Sequence, residues 1–158
     1  MPHGQVIDVI PTPADEVFRL LHDYDRRLDW DTLLQAAYLL DNCQEAAVGV
    51  KSVCKGKRAL GGIALTTEYI SFRAPEVAAV RMINRPPFFE TFAATIRHES
   101  QADGSSRIEY NYNFTSRPRW LRFVLDPIMN LCFKMETKKC IAALRRHFAN
   151  RPTKNGTS

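Results

Sequence analysis

No run in the chain approaches the roughly 18 consecutive apolar residues that a membrane-crossing helix needs, so no transmembrane segment is expected. The opening residues, MPHGQVIDVIPTP, carry neither a charged leader nor a long apolar stretch, which predicts no signal peptide and a cytoplasmic location. Cysteine is scarce. Cys43, Cys54, Cys132 and Cys140 are too few and too scattered for a disulfide framework or a zinc site. The last two share a predicted helix, where their separation of eight residues amounts to roughly 12 Å, beyond the ~7 Å that a disulfide spans. All four are expected as reduced thiols, mostly packed as small apolar groups. Histidine is equally sparse: His3, His22, His98 and His147 show neither i,i+4 nor short loop spacing, so no metal site is expected. Internal repeats and low-complexity linkers are absent. No serine or cysteine has a recognisable base partner or elbow motif, which argues against covalent catalysis.

At 158 residues the chain is long enough for one domain with a real core. That domain is expected over 1–150, with Arg151–Ser158 (RPTKNGTS) as a disordered tail. The net charge of +5 invites a nucleic-acid or anionic-membrane reading. The cations are spread thinly, over Lys51/Lys55/Lys57/Arg58, Arg117/Arg119/Arg122 and the last helix. There is no zinc-finger spacing, RNP-like strand or arginine-rich run, so no nucleic-acid partner is expected.

The strongest positive signal is a long helix over Pro127–Phe148. Asp126 and Pro127 suit an N-cap and a first helical position. Met129, Phe133, Thr137, Cys140, Ile141, Leu144 and Phe148 then recur on one face. Ile128, Leu131, Cys132 and Met135 form a second apolar stripe, almost opposite and confined to the front half. Leu121, Val124 and Leu125 extend it if the helix runs through Pro127. The favoured expectation is a front half buried on both sides. The alternative is an exposed patch flanked by Arg117, Arg119, Arg122 and Lys139, able to touch a membrane or a second subunit.

Before this helix the signals are short. Gln5–Ile10 reads as a strand, and Thr12-Pro13-Ala14-Asp15-Glu16 opens a helix with a threonine cap and proline in first position. Asp25–Asp31 suggests a second short helix or turn. Strands are predicted at Leu33–Leu40, Val50–Arg58, Ile63–Arg73, Val77–Asn84, Phe88–Gln101 and Ser106–Thr115, with turns at Gly61-Gly62 and Ala102–Ser105. In the last strand Ile108, Tyr110, Tyr112 and Phe114 share one face. Phe92, Ala94, Ile96 and His98 form the apolar face of its hairpin partner. The two faces of Ile63–Arg73 are nearly tied, so its register is not readable. The fold class is α+β: a curved antiparallel sheet of about seven strands, wrapped around a long C-terminal helix, with two short helices after strand 1. One helix cannot closely cover so wide an apolar face, and a cavity between the two suits an apolar ligand.

PTPADEVFRLLHDYDRRLDWD, TEYISFRAPEVAAVRMINRPPFF, DGSSRIEYNYNF and RPRWLRFVLDPIMNLCF, in this order, resemble the opening, central strands, β-hairpin and last-helix start of the START-like or SRPBCC superfamily. This is the Bet v 1-like helix-grip fold, and the nearest likeness is to bacterial polyketide cyclase/dehydrase and lipid-transport-like members. The resemblance implies a deep hydrophobic pocket between sheet and helix. It implies no particular reaction, because the superfamily holds carriers, sensors, cyclases and ring-hydroxylase domains. The Cys-His and two-histidine/carboxylate patterns of its Rieske branch are absent, so neither iron nor another cofactor is expected.

The expected ligand-binding residues are Trp30, Tyr69, Met82, Phe92, Ile96, Tyr110, Tyr112, Met129, Phe133 and Thr137. Tyr110, Tyr112 and His98 are the candidate acid/base groups. Against those roles stand blander ones: tyrosines that satisfy their own hydroxyls in the core, and a strand-end His98 touching water near the Asp103 turn. His22-Asp23 reads as a capping or surface pair, and Trp30 as a gate or as a pin for a short helix. The leading function is binding or transport of a small hydrophobic ligand (lipid, isoprenoid or polyketide-like). A cyclase or dehydratase is the alternative, and a protein or membrane interaction module the second. The expected state is monomer or homodimer.

Overall fold

A computed structural model describes residues 3–57 and 62–150. The Gly61-Gly62 turn and the strand end at Arg58 lie partly outside the described residues, and the tail Arg151–Ser158 wholly outside. The elements in order are β1 (His3–Ile10), α1 (Ala14–Leu21), α2 (Arg27–Trp30), β2 (Leu34–Leu39), β3 (Lys51–Gly56), β4 (Ala64–Arg73), β5 (Val77–Met82), β6 (Phe89–Ser100), β7 (Ser106–Ser116) and α3 (Arg122–Ala149). A single 3₁₀ turn, Arg119–Leu121, leads into α3. The strands form one antiparallel sheet in the order β1-β7-β6-β5-β4-β3-β2. β1 therefore pairs with the last strand, and the rest is a meander. No helix among the described residues is long and apolar enough to cross a membrane.

The alternation in β7 translates directly into packing: Ile108, Tyr112 and Phe114 are buried on the concave face, opposite Phe92, Ala94, Ile96 and His98 of β6. β4 is where parity breaks. Its register slips between Tyr69 and Ser71, so Leu65, Thr67 and Tyr69 face the cavity while Phe72, on the other parity, also packs inside. A bulge of this kind puts one extra residue into the strand and exchanges its faces. The near-tie between the two faces in the sequence has this physical origin.

α1 begins at Ala14, one residue later than expected, and Pro13 precedes the helix instead of opening it. Thr12 makes no side-chain cap. The Ala14 amide instead donates to the Ser100 hydroxyl at 3.3 Å, a partner at the end of β6.

α3 requires a larger correction. It starts at Arg122, not Pro127, and carries Pro127 inside. Asp126 is not its cap; its carboxylate accepts the Ser116 hydroxyl, while Arg122 Nε donates to the Ser116 carbonyl at 2.7 Å. These two bonds tie the first turns of α3 to the end of β7. Phe123, whose carbonyl the missing proline amide would have met, is 80% exposed, so water can satisfy the group and the break is tolerated.

The inward stripe of α3 buries Ile141, Leu144 and Phe148 in one core with Leu20, Leu21, Trp30, Ile96 and Ile108, and Thr137, one turn earlier, is buried too. The expectation of a front half buried on both sides is overturned. Val124, Ile128, Leu131 and Met135 are all exposed, and so are Trp120 and Phe123 just before them. α1 and α2 pack against the rear of α3, around Ile141, Leu144 and Phe148, and no described element is left to cover the front.

Candidate functional site

Between the concave sheet and α3 lies a cavity of about 310 Å³. Leu65 of β4, Val80 of β5, Phe89 and Phe92 of β6 and Phe133 of α3 form apolar wall, continued by Ile96, Ile108, Ile141 and Leu144. Phe89 and Phe92 both face inward because the β6–β7 register shifts between Phe89 and Thr91. The Phe92 and Phe133 rings meet at 5.0 Å between centroids.

Most polar groups on the wall fall into two hydrogen-bonded sets; Glu136 stands apart, one carboxylate oxygen paired with Lys139 at 3.3 Å and the other buried without a partner. In the first, the Tyr69 hydroxyl lies 2.8 Å from His22 Nδ1 and 2.9 Å from the Tyr24 hydroxyl. Tyr24 reaches on to Ser52, which bonds to Thr67 at 2.9 Å. In the second, Arg27 Nε donates to Asp31 Oδ2 at 2.9 Å and its Nη1 to the Leu21 carbonyl at 3.1 Å. The guanidinium carbon stands 4.8 Å above the Trp30 ring. Asp31 also accepts the Leu33 amide and the Cys140 thiol, at 3.1 and 3.5 Å. Asp31 thus accepts three hydrogen bonds, two of them on Oδ2. The outer Nη2 of Arg27 has only the distant Cys140 sulfur at 4.0 Å, which leaves donor capacity for a guest. Arg27 and Asp31 are four apart, the spacing that brings two side chains together across one helical turn.

Burial sets the protonation of these groups. It depresses His22 to about 3, with His98 and Arg27 adding to the effect, so the imidazole is neutral near pH 7. Burial pushes the Tyr69, Tyr24 and Tyr110 hydroxyls above their ordinary range, which keeps them neutral donors. The Cys140 thiol is pushed up to about 12 and Cys54 is raised, both chiefly by burial. Neither is a thiolate, the form a cysteine nucleophile requires.

Of the residues expected from sequence, Tyr69, Phe92, Ile96, Tyr110, Phe133 and Thr137 come together on the cavity wall. Trp30, Met82, Tyr112, Met129 and His98 are not on it. Trp30 is buried beneath Arg27, a pin and not a gate. Met82 and Met129 pack on the aromatic cluster of Phe89, Phe92 and Phe114. Tyr112 is buried, with its hydroxyl donated to Asn130 Oδ1 at 2.8 Å. His98 does not touch water: it is 5% exposed, neither ring nitrogen has a hydrogen-bond partner, and burial lowers it to about 4. Its ring packs edge-on to Phe18 at 5.2 Å. His22, taken as a capping or surface residue, is buried on the cavity instead. Tyr24, Arg27, Asp31, Cys54 and Cys140 are further wall residues that sequence reasoning did not select. The available signal was the i,i+4 Arg27–Asp31 pair within a charged segment that also carries leucine and tryptophan.

A curled antiparallel sheet closed on a long C-terminal helix over an apolar cavity defines a helix-grip protein of the START-like class. More narrowly, the chain belongs to the family described as polyketide cyclase / dehydrase and lipid transport, whose model matches residues 3–149. Solved structures agree on the fold. The Zhui aromatase/cyclase from Streptomyces sp. R1128 is similar at a TM-score of 0.78 and 15% identity, over 98% of this chain and 97% of that one. A START superfamily protein from Mycobacterium smegmatis gives 0.77 and 7% identity, over 94% and 98%. A search of the curated proteins finds no match.

Proposed function

We propose that the chain binds a small, mostly apolar molecule (lipid, isoprenoid or polyketide-like) in the cavity between sheet and α3, with its polar end held by Arg27, Tyr69 and Tyr110. The observation that carries this reading is the wall itself: aromatic and aliphatic over most of its extent, with a few converging donors. That combination is what small-molecule sites use to combine affinity with orientation. Neutral tyrosines and a guanidinium with an unused donor favour a ligand ending in a carbonyl, hydroxyl or carboxylate oxygen. Family membership supports the ligand class.

Native mass spectrometry of the purified protein, with displacement of a fluorescent fatty acid, tests this. Bound mass or saturable displacement is expected, and Thr137→Trp, which fills the cavity, removes both. A protein that carries no guest and displaces none defeats the proposal.

A second reading, a cyclase or dehydratase, draws on the His22–Tyr69–Tyr24 chain beside Tyr110. A tyrosine hydroxyl there can donate to a ligand carbonyl and polarise it. Turnover that Tyr110→Phe or Tyr69→Phe abolishes, with ligand affinity retained, would favour the enzyme. Recovery of every bound polyketide-like ligand unchanged eliminates it. The same experiment covers the other two acid/base candidates, Tyr112 and His98, through Tyr112→Phe and His98→Gln.

A further inference from the structure

The outer side of α3 holds a surface that ligand binding in the cavity leaves unexplained. Leu121, Val124, Ile128, Leu131 and Met135 follow one another at alternating steps of three and four, which puts them on a single stripe opposite the inward face. Val124 is 42%, Ile128 55%, Leu131 62% and Met135 48% exposed, and Trp120 and Phe123 stand out further at 72% and 80%. Large side chains gathered on one face of one element differ from the scattered exposed leucines of any surface. The Arg117 amide donates to the Phe88 carbonyl at 3.0 Å, and Phe88, itself 53% exposed at a φ of 70°, adds another ring at this end.

We propose that this face is a docking surface for an anionic lipid bilayer. Charge selects the partner. Residues 117–139 hold six cations (Arg117, Arg119, Arg122, Lys134, Lys138 and Lys139) against two carboxylates, so four of the five net positive charges of the chain lie here. Neither carboxylate belongs to the outer stripe: Asp126 accepts the Ser116 hydroxyl, and Glu136 lines the cavity while one of its oxygens pairs with the exposed Lys139 at 3.3 Å. Arg119, Lys134 and Lys138 are exposed. A second copy laid on this face would bring two like-charged segments together as it buried the apolar stripe. A bilayer bearing negative headgroups takes both features at once, the aromatic and aliphatic side chains into the interface and the cations against the phosphates. Docking does not depend on what fills the cavity, because it uses the opposite side of α3.

The test uses the full chain with vesicles of phosphatidylcholine alone, and with about a third phosphatidylserine. Trp120 reports contact directly, since the other tryptophan, Trp30, is 3% exposed. The expected result is co-sedimentation and a blue shift of tryptophan emission with anionic vesicles, roughly tenfold stronger than with neutral ones and weakened by salt. Phe123→Asp and the pair Lys134→Glu/Lys138→Glu each remove sedimentation while thermal unfolding stays unchanged, because these side chains are exposed. Trp120→Phe loses the emission shift and keeps sedimentation. Failure to sediment with anionic vesicles at low salt overturns the proposal. So does equal binding to neutral and anionic vesicles. A concentration-dependent dimer in analytical ultracentrifugation that Phe123→Asp dissolves also overturns it, since a second copy would then own the face.

Discussion

The two halves of α3 are similar in apolar content and opposite in circumstance. The rear half, from Thr137 to Phe148, buries its stripe against α1, α2 and the sheet. The front half turns Met129 and Phe133 inward as well, but leaves a second stripe in water. Periodicity locates apolar faces on a helix; it does not say how many of them the rest of the chain covers. Cover is a property of where the other elements run out, and α1 and α2 run out at the rear.

The comparison can be broken most forcefully where α2 meets the rear half. Asp31→Ala strips the Arg27 guanidinium of its buried partner and the Cys140 thiol of its acceptor, and is expected to cost about 3–5 kcal/mol. Urea denaturation measures it, and a loss under 1 kcal/mol would mean that the pair is solvated in solution. Leu144→Ala, at a side chain with no exposure, should cost about 2–5 kcal/mol by the same measurement.

Acid should also strike the buried side first. His22 and His98 have folded pKa values of about 3 and about 4, against about 6.5 unfolded. Above pH 6.5 neither state takes up a proton and stability is flat in pH. Below it the unfolded chain binds protons that the folded chain refuses, so stability falls until the folded values are reached. The two histidines together should remove about 4 kcal/mol by pH 5. Replacing both with glutamine should flatten the profile between pH 7 and pH 5, and an unchanged slope would relocate the proton uptake elsewhere. The smallest effect belongs to the front half. Leu131→Ala should change stability by about 0.5 kcal/mol or less, and a loss comparable to that of Leu144→Ala would show that the front is covered after all.

Much of the architecture was legible because it rests on local pattern. The alternation of β7 needs only its own residues and a concave face, and the stripe from Phe133 to Phe148 needs only a helical period. The failures have the reverse character. The slip at Tyr69–Ser71 depends on how β4 meets β5. The start of α3 depends on Ser116 holding Asp126 and Arg122 from the end of another strand. The same holds for the site. Tyr110, Phe92, Ile96, Phe133, Tyr69 and Thr137 lie on regular elements where parity or helical phase assigns a face. His22, Tyr24, Arg27 and Asp31 sit on a four-residue helix and the turns beside it, where no period exists to assign one. Histidine and arginine in such a segment read as surface until a hydroxyl, a carboxylate or an aromatic ring from elsewhere closes over them.

The pairing of β1 with β7 has a consequence for how the chain reaches this state. Each of the other strand pairs joins neighbours in sequence, whereas His3 lies opposite Asn113 and Ile10 opposite Ser106. Loop closure of that length is slow compared with hairpin formation, because long-range contacts repay their entropy only when both partners exist. On a ribosome the meander β2–β7 can assemble progressively, while β1 must wait, unpaired, until β7 has emerged. Of the seven strands, the first to be made is thus the last to find its place in the sheet.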